Sequence, residues 1–346
     1  MQIIELLTPD YEAAWLPWAV QYFFFIGIAT TSALTVAGLT LLGRKSSAAV
    51  SLMPAAVVVL AISVIAAPVS LLADLHQPGR FWHFYAYFTP WSWMSIGAYL
   101  LPVFVLLALG LCAAWWLGKT GLLKFFSVLI ILSSISILTY TGLEVMVVRS
   151  RPLWNTPFLP VNFALTGWMS ALGAMLLIAR WLPGGLSAHS ANVLRRLGLI
   201  SLGLSFASAI MWAVAGASGQ DSSFSTAMRL FELFPVWKLS FFGSILTAVL
   251  LLVLLLRHGR FLLRPGYSAL VALALMASAW IFRWIIFMAV QGVPKYGAGL
   301  YLYQMPLGSA GLLGIVGMFG LCVSLMAVIS FLLDRYPEHG LRGQMA

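Results

Sequence analysis

Few side chains in this sequence are able to do acid–base chemistry, and most of them gather near one level of it. Asp74, His76, Arg80 and His83 follow one another in a short segment between two apolar runs, while Glu144 and Arg283 fall inside apolar runs. Gln21 and Tyr22 stand about one turn into the first run, and Tyr140 precedes Glu144 by four residues, so the two share a helical face. Carboxylates and imidazoles take up and release protons, and Tyr, Gln and Arg hydrogen-bond the oxygens of a bound molecule. An ionisable group within hydrocarbon is costly, which makes Glu144 and Arg283 functional candidates by default. A purely structural account, in which the two form a buried ion pair that fixes packing, is equally consistent with their types.

The elements that must position these groups are membrane-spanning helices. Of 346 residues, 62% are hydrophobic and only 8% charged, against about 25% charged in an ordinary soluble chain. Apolar stretches of about 20 residues, enough to cross about 30 Å of hydrocarbon, recur along the whole length. Spans are expected at 18–43, 48–73, 91–118, 124–148, 161–182, 197–217, 238–256, 266–290 and 309–333. The expected fold is therefore all-α and integral to the membrane, with nine helices in a single polytopic domain over residues 1–346.

Charge orients that domain. The loops that hold Arg44, Lys45, Arg195, Arg196, Arg257 and Arg260 are richer in basic residues than those that hold Arg80, Arg149, Arg151, Arg229 and Lys295. The positive-inside rule puts the richer set in the cytoplasm. The N-terminus, with Glu5, Asp10 and Glu12, is then outside and the C-terminus inside. A cleavable signal peptide is not expected, because those acids stand where a positive n-region would be. The candidate residues then all belong to the outer half of the bundle. Basic residues spread over short loops are topology signals, so the net charge of +10 does not point to nucleic acid.

Other chemistries lack their ligands. The five histidines lie in loops or at interfaces, so a transmembrane haem is not expected, and two cysteines in separate spans do not make an iron–sulfur or zinc site. Gly308, Gly311, Gly314, Gly317 and Gly320 recur every third residue and are expected to form a close-packing stripe on the last span.

Two stretches carry a resemblance. Residues 73–94 read ADLHQPGRFWHFYAYFTPWSWM, in which Asp74, Leu75, Pro78, Arg80, Phe81, Ser92, Trp93 and Met94 resemble the signature of the NrfD-like family, the membrane subunits of polysulfide-reductase-type complexes. The stretch WNTPFLPVNFALTGWMSALG from Trp154 is similar to that family's fifth-helix opening. WLPWAVQYFFFIGIA from Trp15 and YTGLEVMVVRSRPLW from Tyr140 look most like the tetrathionate-reducing branch, as do Arg283-Trp284, VQGVPK from Val290 and MPLG from Met305.

The resemblance implies two adjacent four-helix bundles, here with one extra helix, and no haem. It implies a bound quinol, with menaquinol expected, near the face where a four-cluster ferredoxin-like iron–sulfur subunit docks and passes electrons to a molybdopterin catalytic subunit. Such a chain resides in the bacterial inner membrane and serves reduction of tetrathionate or another sulfur compound. Oxidising a quinol releases two protons, and Asp74, His76 and Glu144 are the acceptors this sequence offers on the outer side. Gln21, Tyr22, Arg80, Tyr140 and Arg283 are then assigned to binding the headgroup. Loops 74–90 and 149–160 are the expected docking platform. A secondary transporter built on Glu144 and Arg283, or a membrane anchor without its own redox ligand, stays open as an alternative.

Overall fold

A chain in hydrocarbon must satisfy every backbone N–H and C=O internally, and helices do this within one segment. The computed structural model describes residues 14–42, 47–182, 185–293 and 303–336. Arg44, Lys45, Lys295, Glu5, Asp10 and Glu12, on which the orientation leans, lie outside the described residues.

Eleven α-helices follow one another: α1 (Pro17–Leu42), α2 (Ser47–Asp74), α3 (His83–Ala86), α4 (Trp93–Trp116), α5 (Thr120–Met146), α6 (Phe158–Ile178), α7 (Ala188–Ala217), α8 (Ser222–Leu233), α9 (Pro235–Leu256), α10 (Pro265–Trp284) and α11 (Leu312–Arg335). Among the described residues nine helices are long and apolar enough to cross a membrane, and α3 and α8 are not among them. No strand occurs among the described residues.

The helices assemble as expected into two groups of four. One is α1, α2, α4 and α5, in which α1 packs on α2 and α5 while α4 packs on both of those. The other is α6, α7, α9 and α10, and α11 leans on α1 and α2. The groups are joined mainly through α1 and α6, which approach at Gly27 and Gly167. A Cβ on Gly167 would meet the Gly27 Cα at 3.1 Å, so only glycines allow this crossing. The Thr31 hydroxyl seals it by donating to the Gly167 carbonyl at 3.2 Å.

Several boundaries differ from the sequence expectation for local reasons. Helix α7 starts at Ala188 rather than 197 because the Ser187 hydroxyl caps it, accepting from the Ser190 N–H at 3.1 Å. Helix α8, unexpected from apolar length, is amphipathic and is capped by Asp221, whose carboxylate accepts from the Ser223 N–H at 2.7 Å. Helix α10 passes into a π-turn at Ile285–Ala289.

Two expectations are corrected. The glycine stripe is not a packing seam: Gly308 and Gly311 precede α11, and Gly317 and Gly320 face open space. Gly314 alone of the five packs closely across elements, against Trp18. Glu144 and Arg283 do not pair. Arg283 is buried between α1, α6 and α10, where its guanidinium donates to the carbonyls of Phe23 (2.7 Å), Ala279 (3.0 Å) and Phe163 (3.2 Å) and to the Thr166 hydroxyl (2.9 Å). Its face also lies over the Phe163 ring, 5.5 Å from the centroid. Neutral oxygens and an aromatic ring thus supply what a carboxylate would have.

Candidate functional site

Near the start of α1, the end of α2, the start of α4 and the end of α5 lies a cavity of about 100 Å³ lined by Tyr22, Tyr140, Glu144, Gly97, Met94 and Leu75, among others. Helical spacing puts Tyr140 and Glu144 on one face of α5, where both line the cavity. Tyr22 enters from α1. Its hydroxyl is buried and has no hydrogen-bond partner among the described residues, which costs free energy unless a bound molecule supplies one. Gly97 on α4 gives the Tyr140 ring its place, since any Cβ there would overlap the ring.

A roof and a side opening complete the cavity. Phe81, Phe84 and Tyr85, from the short helical segment between α2 and α4, lie over it. The Tyr99 hydroxyl holds that segment by donating to the Tyr85 carbonyl at 2.9 Å. Leu72 of α2 and Met94 of α4 line the cavity and are 44% and 48% exposed, so it opens sideways between those helices, where lipid would be. An apolar, oxygen-bearing ring delivered from the bilayer would meet two hydroxyls and a carboxylate here.

The candidate residues separate into groups. Tyr22, Tyr140 and Glu144 come together at this cavity. Asp74 does not line it: its carboxylate accepts the Leu16 N–H at 3.0 Å and so anchors the start of α1. His76 is exposed, and its Nε2 lies 3.2 Å from the Ala14 carbonyl. Arg80 is exposed at the end of the Pro78–Arg80 turn, one residue before the roof. Gln21 faces the other way, where its Oε1 accepts from the Trp280 indole at 3.3 Å. Arg283 does not line the cavity and is fixed among carbonyls of α1, α6 and α10.

Reading the sequence missed Gly97 and the roof residues Phe84 and Tyr85 as parts of a site. The available signal was the clustering of aromatics around Arg80 and a glycine one helical turn into α4, but which helix that glycine would face is a tertiary fact.

A larger cavity lies elsewhere. It measures about 660 Å³, between α1, α2, α6, α10 and α11. Its walls are Phe24, Ile28, Met276, Phe319 and similar residues, and the Ser63 hydroxyl among them is spent on the Val59 carbonyl at 2.6 Å. Such a space suits hydrocarbon and offers no groups for acid–base work. Among the described residues no three His, Cys, Asp or Glu side chains gather as metal ligands do.

Comparison with known proteins gives the family. The pattern of the family described as polysulphide reductase, NrfD, matches residues 7–295. A tetrathionate reductase subunit of Salmonella typhimurium (strain LT2) is 35% identical over 359 aligned positions, which cover 98% of each chain. A match across nearly the whole length, together with nine apolar spans, makes this chain a membrane subunit of the NrfD family.

Proposed function

We propose that this chain is the quinol-reactive subunit of a multi-subunit oxidoreductase that reduces tetrathionate or a similar sulfur compound. The observation that carries the reading is the unpartnered Tyr22 hydroxyl, buried beside the Tyr140–Glu144 pair in a cavity open to lipid. The name of the Salmonella relative, a tetrathionate reductase subunit, supports the choice of terminal substrate.

Quinol oxidation gives quinone, two electrons and two protons. In this reading the ring enters between α2 and α4, and Tyr22 and Tyr140 hydrogen-bond its oxygens. Glu144 takes the two ring-hydroxyl protons one after the other and returns each to the outer water before accepting the next. His76, exposed above the end of α2, is a relay toward that water. The electrons leave for an iron–sulfur partner docked on the outer face, and from there reach a molybdopterin subunit. The roof segment and the α5–α6 loop are the docking platform. That loop is braced for it: Arg151 donates to the Val290 carbonyl at 2.9 Å and the Val293 carbonyl at 3.0 Å, and Trp154 donates to the Ile286 carbonyl at 2.8 Å. With its positive loops inward, the protein sits in the bacterial inner membrane, N-terminus periplasmic and C-terminus cytoplasmic.

Asp74 is proposed as an anchor for α1 at the edge of the site rather than as the acceptor at the ring. Gln21 and Arg283 hold α1 in place from behind. An Arg283 committed to four neutral acceptors favours this reading over a transporter that uses it for substrate.

The test is titration of the purified chain with the fluorescent quinol analogue heptyl-hydroxyquinoline N-oxide, in wild type, Tyr22→Phe and Glu144→Gln. Saturable binding that weakens about tenfold or more in both variants is expected. A well-folded wild type without saturable binding overturns the reading in favour of an anchor.

A further inference from the structure

A second cavity, in the other helix group, combines aromatic walls with a few uncharged polar groups. It measures about 350 Å³ and is bounded by α6, α7, α8, α9 and α10. Aromatic side chains approach it from different helices: Trp212 from α7, Phe231 from α8, Trp237 and Phe241 from α9, and Phe282 from α10. Its floor on α10 is the π-turn Ile285–Ala289, which supplies Ile285 and Ile286 to the lining. π-Turns are rare and are often retained at functional sites. The amphipathic α8 lies across it, with Met228 and Phe231 facing in. Ala209 and Phe241, both exposed, mark a lateral opening toward lipid.

Polar groups stand in this aromatic space. Asn162 is half-buried on α6, and one of its amide hydrogens is spent on the Phe158 carbonyl at 2.8 Å. Among the described residues its Oδ1 makes no hydrogen bond, and neither does the Trp237 indole N–H, which belongs to the same lining. Thr156, also in the wall, donates to the buried carboxylate of Asp221 at 2.5 Å. That acid is held in turn by the Ser223 N–H and hydroxyl, and the Trp212 indole donates to the Ser223 hydroxyl at 2.8 Å. Asp221 lies behind the lining and fixes Thr156 and the start of α8, so the groups left to face the cavity are the Asn162 Oδ1 and the Trp237 N–H among aromatic walls.

We infer that this cavity is a second binding site for a membrane-borne aromatic ring carrying oxygen substituents, a quinone-type headgroup on an apolar tail. An acyl chain would fill the volume but offer no hydrogen bond to the Asn162 Oδ1 or the Trp237 N–H. A flat ring stacks between the aromatic walls, and its oxygens pair with Asn162 and Trp237. The choice of a quinone rests on the function proposed above; the existence of a ring site does not. No electron transfer is assigned to it.

The test uses the full chain in lipid nanodiscs, titrated with heptyl-hydroxyquinoline N-oxide under fluorescence. Wild type is expected to bind two equivalents in two classes. Asn162→Leu should weaken one class about tenfold, and Ala209→Trp, which fills the opening from an exposed position, should abolish the same class. Glu144→Gln should affect only the other. A wild type that saturates at one equivalent, sensitive only to Glu144→Gln, overturns the second site. So does a second class untouched by both Asn162→Leu and Ala209→Trp, or a phospholipid that co-purifies in this cavity, is lost in Ala209→Trp and resists displacement by the analogue. Retention of the class sensitive to Asn162→Leu with none sensitive to Glu144→Gln would instead overturn the first site and leave this one standing.

Discussion

The Tyr140 ring lies where a side chain at residue 97 would be: a Cβ built on Gly97 falls within that ring. The glycine on α4 therefore sets how far the Tyr140 hydroxyl reaches over the cavity that it shares with Tyr22 and Glu144. Gly97→Ala should push the ring aside at an overpacking cost of about 1–3 kcal/mol. The expected result is analogue binding weakened about tenfold, with the protein still inserted and monodisperse. Unchanged affinity in a fluorescence titration would mean that Tyr140 does not touch the ligand.

Glu144 and Asp74 should differ under the same kind of substitution. Glu144→Gln keeps shape but removes the proton acceptor, so quinol-linked turnover of the assembled complex should fall tenfold or more. Asp74→Asn keeps an oxygen to accept the Leu16 N–H, and turnover should fall less than threefold. Asp74→Ala loses the anchor and should destabilise by about 0.5–2 kcal/mol, the usual cost of losing a helix cap. Equal kinetic losses in Glu144→Gln and Asp74→Asn would restore Asp74 to proton transfer.

Arg283 holds α10 to α1 and α6 through carbonyl oxygens. Arg283→Met would remove the hydrogen bonds from a charged donor to the Phe23 and Phe163 carbonyls, each worth about 1.5–3 kcal/mol. Thermal unfolding in detergent should shift down by several degrees, and Arg283→Lys should recover only part of it. Gly27→Ala should act in the same direction, since its Cβ would lie 2.7 Å from the Arg283 Nη2 and 3.2 Å from the Gly167 Cα. A melting temperature equal to wild type in Arg283→Met would refute the clamp.

The α5–α6 loop is tied down by Arg151, whose guanidinium also lies 5.2 Å from the centre of the Trp154 ring. Arg151→Ala should loosen that loop with little effect on analogue affinity. If the loop is a docking platform, co-purification of an iron–sulfur partner from its native host should drop at least threefold. Undiminished recovery would move the platform elsewhere on the outer face.

That the protein is a bundle of apolar helices, and where its rare polar groups lie along the chain, was legible in the order of its residues. Too few charges to face water and apolar runs long enough to cross hydrocarbon leave little choice, and the motif from Asp74 to Met94 indicated the family. Within one helix, periodicity sufficed: four-residue spacing put Tyr140 and Glu144 on one face, and both line the cavity. Between helices it did not. Every span is apolar nearly all round, so no hydrophobic stripe says which face meets which neighbour, and Gln21 turned toward Trp280 while Tyr22, the next residue, turned toward Glu144. The separation of Arg283 from Glu144 emerged from the packing of the helices alone. A buried guanidinium is satisfied equally by a carboxylate or by a ring of backbone carbonyls, and which of the two is near depends on how closely glycines let the helices cross.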